Sequence, residues 1–304
     1  EQVEDRNFRR ILRRIRDDVE AGSSLSEALA KHPRAFSDFF LNMVKAGESS
    51  GRLDEILDRL ANYLEKIDVM RRKVQASLYY PIVVTILALG ITAFLVIFVV
   101  PKFKEIFTSL GGQLPLPTRL LMQVSDFMRH FLLLEIVLGV AAVVGFRLHI
   151  GTTRGRAWFD RFKLELPIIG ILLRKVAIAR FARTLATLVR AGVPILTAME
   201  IVARTSGNKV IESAVMTART SVREGENIAD PLAQSKAFPP MVTRMISIGE
   251  KTGELEKMLS KVADFYESEV DAAVSGLTSL IEPLIIAFLG LVVGSIVIAL
   301  FMPI

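Results

Sequence analysis

Residues 46–57 read AGESSGRLDEIL, and residues 248–259 read IGEKTGELEKML. A single offset lays Gly47 on Gly249, Glu48 on Glu250, Gly51 on Gly253, Leu53 on Leu255 and Leu57 on Leu259, so the chain carries an internal repeat. Downstream, the same offset pairs Ala61 with Ala263, Glu65 with Glu267, Ser77 with Ser279, Pro81 with Pro283 and Pro101 with Pro303. Upstream it pairs Phe36 with Phe238. One extra loop residue then brings Val19 onto Val222, Gly22 onto Gly225, Leu29 onto Leu232 and Ala30 onto Ala233. Each copy is a polar module of helical periodicity followed by an apolar run.

The apolar residues are concentrated in those runs. Residues 82–100 and 284–302 contain no charge and are long enough to cross hydrocarbon as helices. Between them, 131–146 carries Glu135 and reaches spanning length when extended to about 127–150. Three spans divide the chain into a first module at 1–80, a span at 81–101, an exterior loop at 102–127, a second span at 128–150, a second module at 151–280 and a third span at 281–304. The expected fold is all-α: two repeated cytoplasmic helical-bundle modules plus three transmembrane helices. Lys66, Arg71, Arg72 and Lys73 before the first span, and Arg147, Arg154, Arg156, Arg161 and Lys163 after the second, put both modules on the cytoplasmic side. Lys102, Lys104, Arg119 and Arg129 weaken that bias across the first span. Because Glu1 falls near the repeat equivalent of Arg204, the first copy lacks counterparts of roughly 178–203, and the chain reads as truncated at its beginning.

The formal net charge of +6 lies largely beside the spans, where anionic lipid accounts for it, so nucleic-acid binding is not implied. Cysteine is absent, which excludes disulfides and thiolate chemistry. His32, His130 and His149 are scattered, and GEKTG at 249–253 has no preceding strand to make a phosphate loop. No catalytic, cofactor-binding or metal-binding constellation is found.

Local signals place the elements. Phe8, Ile11, Leu12, Ile15 and Val19 form the apolar stripe of a basic helix ended by Gly22. Ser24 or Ser26 caps a short helix, and Ser37 caps the next. Residues 47–51 are expected as a turn joining two antiparallel helices, with Gly47, Gly51, Gly249 and Gly253 supplying its freedom. Glu48 and Glu250 in that turn suit a backbone cap, an arginine partner, or a cation or protein ligand; a calcium loop is disfavoured because alternating oxygen ligands are missing. Pro81 and Pro283 each bend the junction of module and span. Ala88 with Thr92, and Gly290 with Gly294, are small-xxx-small pairs for close packing of membrane helices. The stretch LGGQLPLPTR at 110–119 is turn-forming, with Thr118 as cap of the second membrane helix. In the second module Ile178, Phe181, Ala182, Leu185, Leu188 and Val189 share a face. Pro194, Asn208, Asn227 and Pro239 start further helices, giving six per complete module. Glu135 and Glu282 sit close to span ends, where hydration or one hydrogen bond satisfies them.

The two repeat motifs, the YYP and EPL entries to the spans, VVPKF after the first span and LPLPTR in the exterior loop together resemble the inner-membrane platform family of type II secretion and type IV pilus assembly. The likeness covers nearly the whole chain. It implies a non-enzymatic scaffold that couples a cytoplasmic assembly ATPase to pilin or pseudopilin subunits. The implied partners also include other inner-membrane assembly proteins, the lipid bilayer and further copies of itself in a homo-oligomer. The rival readings are a small membrane transporter or channel, for which the spans offer few polar residues, and a membrane-anchored adaptor without a motor.

Overall fold

The computed structural model describes residues 5–109, 115–167 and 169–302, and among these every regular element is helical. The first copy comprises α1 (Arg6–Glu20), α2 (Leu25–Ala30), α3 (Asp38–Ser50) and α4 (Leu53–Phe94). A π-helical turn, Leu95–Val99, then leads into α5 (Val100–Ser109). After α6 (Leu116–Gly151) come α7 (Thr153–Glu165), α8 (Ile169–Arg190) and α9 (Ile195–Thr205). The second copy follows as α10 (Lys209–Arg223), α11 (Ala229–Gln234), α12 (Pro240–Thr252) and α13 (Leu255–Phe301). In register, α10 to α13 repeat α1 to α4.

The chain forms two compact units. One holds Glu1–Arg71 and Ala157–Asp271, so both copies of the polar module fold together; the other holds Arg72–Arg156 and Ala272–Ile304. In the first unit, α8 is the central element. Ile178, Phe181, Leu185 and Leu188 are wholly buried, as are Met43 and Leu60 of the first copy and Ile246 and Leu259 of the second. Its stripe is the one read from the sequence. The stripe of α1 is less covered, with Ile15 buried but Leu12 and Val19 exposed.

Caps explain where the helices begin and stop. Asp5 accepts from the Asn7 and Phe8 amides, and these bonds lower its pKa. Ser24 and Glu27 form a reciprocal capping box on α2, Ser37 caps α3, and Asn208 accepts from the Val210 and Ile211 amides of α10. Asn227 accepts from the Asp230 amide, in the place Ser24 holds in the first copy.

In the second unit the departures from expectation lie in the exterior loop, and the prolines expected to bend the span helices, Pro81 and Pro283, fall within continuous helices. The 102–127 loop is helical at both ends, as α5 and the start of α6, while residues 110–114 lie outside those described. Thr118 therefore stands inside α6 instead of capping it, and Pro115 occupies the cap position.

The π turn gives a reason for the buried hydroxyls of α6. In π register the Val100 amide bonds to the Leu95 carbonyl, so the next carbonyl, that of Val96, faces residue 101, a proline with no N–H. The Ser125 hydroxyl donates to that carbonyl at 2.5 Å. The Thr118 hydroxyl donates likewise to the Ala299 carbonyl; four residues on, the sequence has Pro303, which has no N–H and lies outside the described residues. Both hydroxyls are buried, and a surrounding cluster of Val96, Val100, Phe107, Met122, Ile296 and Leu300 packs the ends of all three long helices together. The two repeat-related prolines thus leave two carbonyls that one helix satisfies from residues two turns apart.

Away from that cluster the long helices are apolar on their outside. Ile86, Leu133 and Leu291 are exposed, and none of the most apolar stretch of α6 is buried within the protein. Among the described residues, three helices are long and apolar enough to cross a membrane.

Candidate functional site

The repeated motif builds a helical corner. α3 does not stop at Gly47; it continues to Ser50 and closes at Gly51, whose φ is 69°. The Gly51 amide bonds to the Glu48 carbonyl and the Arg52 amide to the Gly47 carbonyl at 3.0 Å, the two bonds of a Schellman ending. α12 also ends at a left-handed glycine, Gly253, with φ 72°. The expected five-residue turn is therefore corrected to a two-residue one. Gly47 and Gly249 serve a different purpose from Gly51 and Gly253. A Cβ on Gly47 would stand 3.1 Å from the Ile56 Cβ, and one on Gly249 would stand 2.8 Å from the Leu255 Cα. These glycines let successive helices cross closely, and conformational freedom is not their task.

Glu48 and Glu250 occupy the last turns of α3 and α12, where each reaches back across the hairpin. Glu48 accepts from the Ser26 amide at 3.2 Å and from its hydroxyl at 2.5 Å. Glu250 accepts from the Ile228 and Ala229 amides at 2.5 and 3.1 Å. With the one-residue loop difference, Ser26 and Ala229 are equivalent positions. Each carboxylate thus holds the orphan amides at the start of a short helix, where the partial positive charge of the helix end also favours it. Of the three roles considered from sequence, backbone capping is the one these contacts fill.

A polar seam joins the two modules. The Tyr63 hydroxyl of α4 meets Thr184 of α8 at 2.8 Å, buried, and Arg59 donates to the Arg190 carbonyl at 2.9 Å. Arg204 lies 3.5 Å from Asp38. Within the second module, Arg183 holds Glu267 at 2.8 Å and Asp264 at 2.5 Å, Lys175 holds Glu269 at 2.7 Å, and Arg190 holds Glu256. Burial pushes the Arg183 pKa down, but hydrogen bonds and charge from Glu267 and Asp264 outweigh it and the pKa is raised. None of these partnerships was legible in the sequence, because each joins residues far apart in the chain. The only hint was the helical spacing of Arg183 and Arg190 on α8.

The membrane pairs differ between copies. Ala88 is buried and Thr92 half-buried, with its hydroxyl enclosed and unpartnered among the described residues. Gly290 is exposed, and neither it nor Gly294 has an atom within 4 Å of where a Cβ would stand. Glu135 is half-buried, whereas the side chain of Glu282 is outside those described.

An open groove of about 920 Å³ runs between α7, α8, α10 and α11, with Arg174, Lys209 and Lys236 opposite Glu165 and Glu226. Its charges are mixed and it holds no histidine or cysteine. Among the described residues, no three His, Cys, Asp or Glu side chains gather as a metal site. The architecture supplies rigid corners, a joined pair of bundles and apolar anchors.

Comparison with known proteins finds a matching family model, described as type II secretion system protein F, over residues 1–101 and 181–303. The type IV pilus assembly protein PilC of Thermus thermophilus is 50% identical over 99% of this chain and 74% of its own length. The protein of the same name in Myxococcus xanthus is 43% identical over 100% of this chain and 73% of its own. The type II secretion system protein F of Vibrio cholerae is 38% identical over 100% of this chain and 75% of its own.

Proposed function

Because the chain belongs to the type II secretion system protein F family, we propose that it couples a cytoplasmic assembly ATPase to the extraction and assembly of pilin or pseudopilin subunits. It is an inner-membrane platform protein of the type IV pilus and type II secretion class. The observation that carries the coupling role is the joining of both polar modules into one unit whose last helices, α4 and α13, continue without a break into apolar spans. A displacement applied to such a unit is passed directly to the membrane helices.

In this reading residues 1–80 and 151–280 lie in the cytoplasm, 81–101, 128–150 and 281–304 cross the membrane, and 102–127 face the periplasm. Pro81 and Pro283 act as the bend points of the two transmitting helices. The Ala88–Thr92 and Gly290–Gly294 steps are places of close helix approach: the first within the chain, and the second, open to its surroundings, against a pilin helix, another assembly protein or a further copy in a homo-oligomer. No step requires bond chemistry in this chain; ATP turnover belongs to the partner. Relatives named for pilus assembly are 37 to 50% identical and those named for secretion 36 to 38%, so a pilus machine is the first to test.

The test is reconstitution of the full chain in nanodiscs with the cognate ATPase. Binding that is lost when the surface of the joined modules is altered, with ATP turnover changed by the chain, supports the coupling. Absence of both binding and any change in turnover contradicts it.

A further inference from the structure

Helix α7 begins two residues after the α6 span ends at Gly151, and it is two-faced. On one side Asp160 is buried; its carboxylate accepts from the Lys209 amide at 3.0 Å and meets Lys163 at 2.7 Å, while its carbonyl accepts from Asn208 at 3.3 Å. These bonds pin α7 to the start of α10 and fix its rotation. Trp158, two residues earlier, points roughly the opposite way, since each residue turns a helix by ~100°. It is 57% exposed and stacks at 5.7 Å on Phe162, itself 45% exposed. Arg154 stands one turn before Trp158 on the same stripe and is exposed.

Two large rings kept outside, next to an arginine, are costly on a surface meant for water. They suit the interfacial layer of a bilayer, where a ring has an apolar body to bury and Arg meets lipid phosphate. The chain itself limits where α7 can go. Seven residues span at most ~25 Å, so Trp158 cannot leave the neighbourhood of the α6 membrane end.

We propose that α7 is an interfacial anchor whose Trp158–Phe162 face lies among the headgroups of the bilayer, with Arg154 binding anionic phospholipid. Asp160 then ties the second module to that surface. The anchor sets the height of the module above the membrane, independently of any assembly partner.

Trp158 is the only tryptophan in the chain, so its emission reports this face alone. The full chain is placed in nanodiscs of phosphatidylcholine, with or without phosphatidylglycerol, and lipids brominated near the headgroup serve as quencher. The expected results are loss of most of the emission to brominated lipid, little loss to aqueous acrylamide, and a further blue shift on adding phosphatidylglycerol that R154Q removes. Emission quenched by acrylamide and untouched by brominated lipid overturns the proposal. So does protection from both quenchers, which would mean that protein covers the face. A blue shift that R154Q leaves unchanged overturns the lipid-binding role of Arg154.

Discussion

The first and second copies of the corner keep the same carboxylate in the same place but give it different work. Glu250 grips two backbone amides, whereas Glu48 grips one amide and a serine hydroxyl. The helix crossing beside it is also tighter in the second copy, where an added Cβ would stand 2.8 Å from the Leu255 Cα, against 3.2 Å from the equivalent Leu53 Cα in the first. The repeat therefore conserves a task, holding a short helix against a hairpin, while each copy meets it with its own neighbours. The second copy, with α8 and α9 and the ion pairs of Arg183, is the more heavily constrained.

The sharpest way to break this comparison is to fill both crossings. Gly249→Ala should destabilise the second copy by about 2 kcal/mol through overpacking. Gly47→Ala should cost about 1 kcal/mol or less, because the gain in helix propensity offsets a milder contact. Thermal unfolding of the full chain in detergent gives the order, and equal losses would show that the two crossings are alike.

Removing the carboxylates is the next test. Glu250→Ala should cost about 1.5 kcal/mol and Glu48→Ala about 1 kcal/mol, the range for a lost helix cap. Amide exchange should quicken at Ile228 and Ala229 in the first case and at Ser26 in the second. A variant that leaves those amides protected would remove the capping role.

A smaller effect concerns the prolines that close each copy. Ser125→Ala and Thr118→Val should each cost about 1 kcal/mol by leaving a buried carbonyl without a donor. The double variant should loosen the cluster around Met122 more than either alone. Unchanged unfolding midpoints for both would mean that these carbonyls have other partners.

How much of this could be read beforehand depended on the range of the interaction. The repeat, the three apolar helices, the caps at Ser37 and Asn208, and the left-handed glycines at Gly51 and Gly253 all rest on residues near one another in sequence. Gly47 and Gly249 were misread as turn residues, because a polar segment between two glycines looks like a loop. The Schellman ending lets the helix run on to Ser50 and needs only the second glycine. Thr118 looked like a cap because prolines precede it, but its partner is a carbonyl on α13. The Tyr63–Thr184 contact and the Arg183 cluster join elements far apart in the chain, and no periodicity reports such pairs.

The claim on which the function rests is that the duplicated modules form one body at one face of the membrane. The chain has no cysteine, so Asp38→Cys with Arg204→Cys, at an exposed ion pair between the two modules, introduces the only two thiols. Treated in membranes with a short bis-maleimide, this variant should give an internally bridged single chain, with both thiols labelled from the cytoplasmic side. Two thiols that label separately from opposite sides, with no bridge formed, would contradict the account.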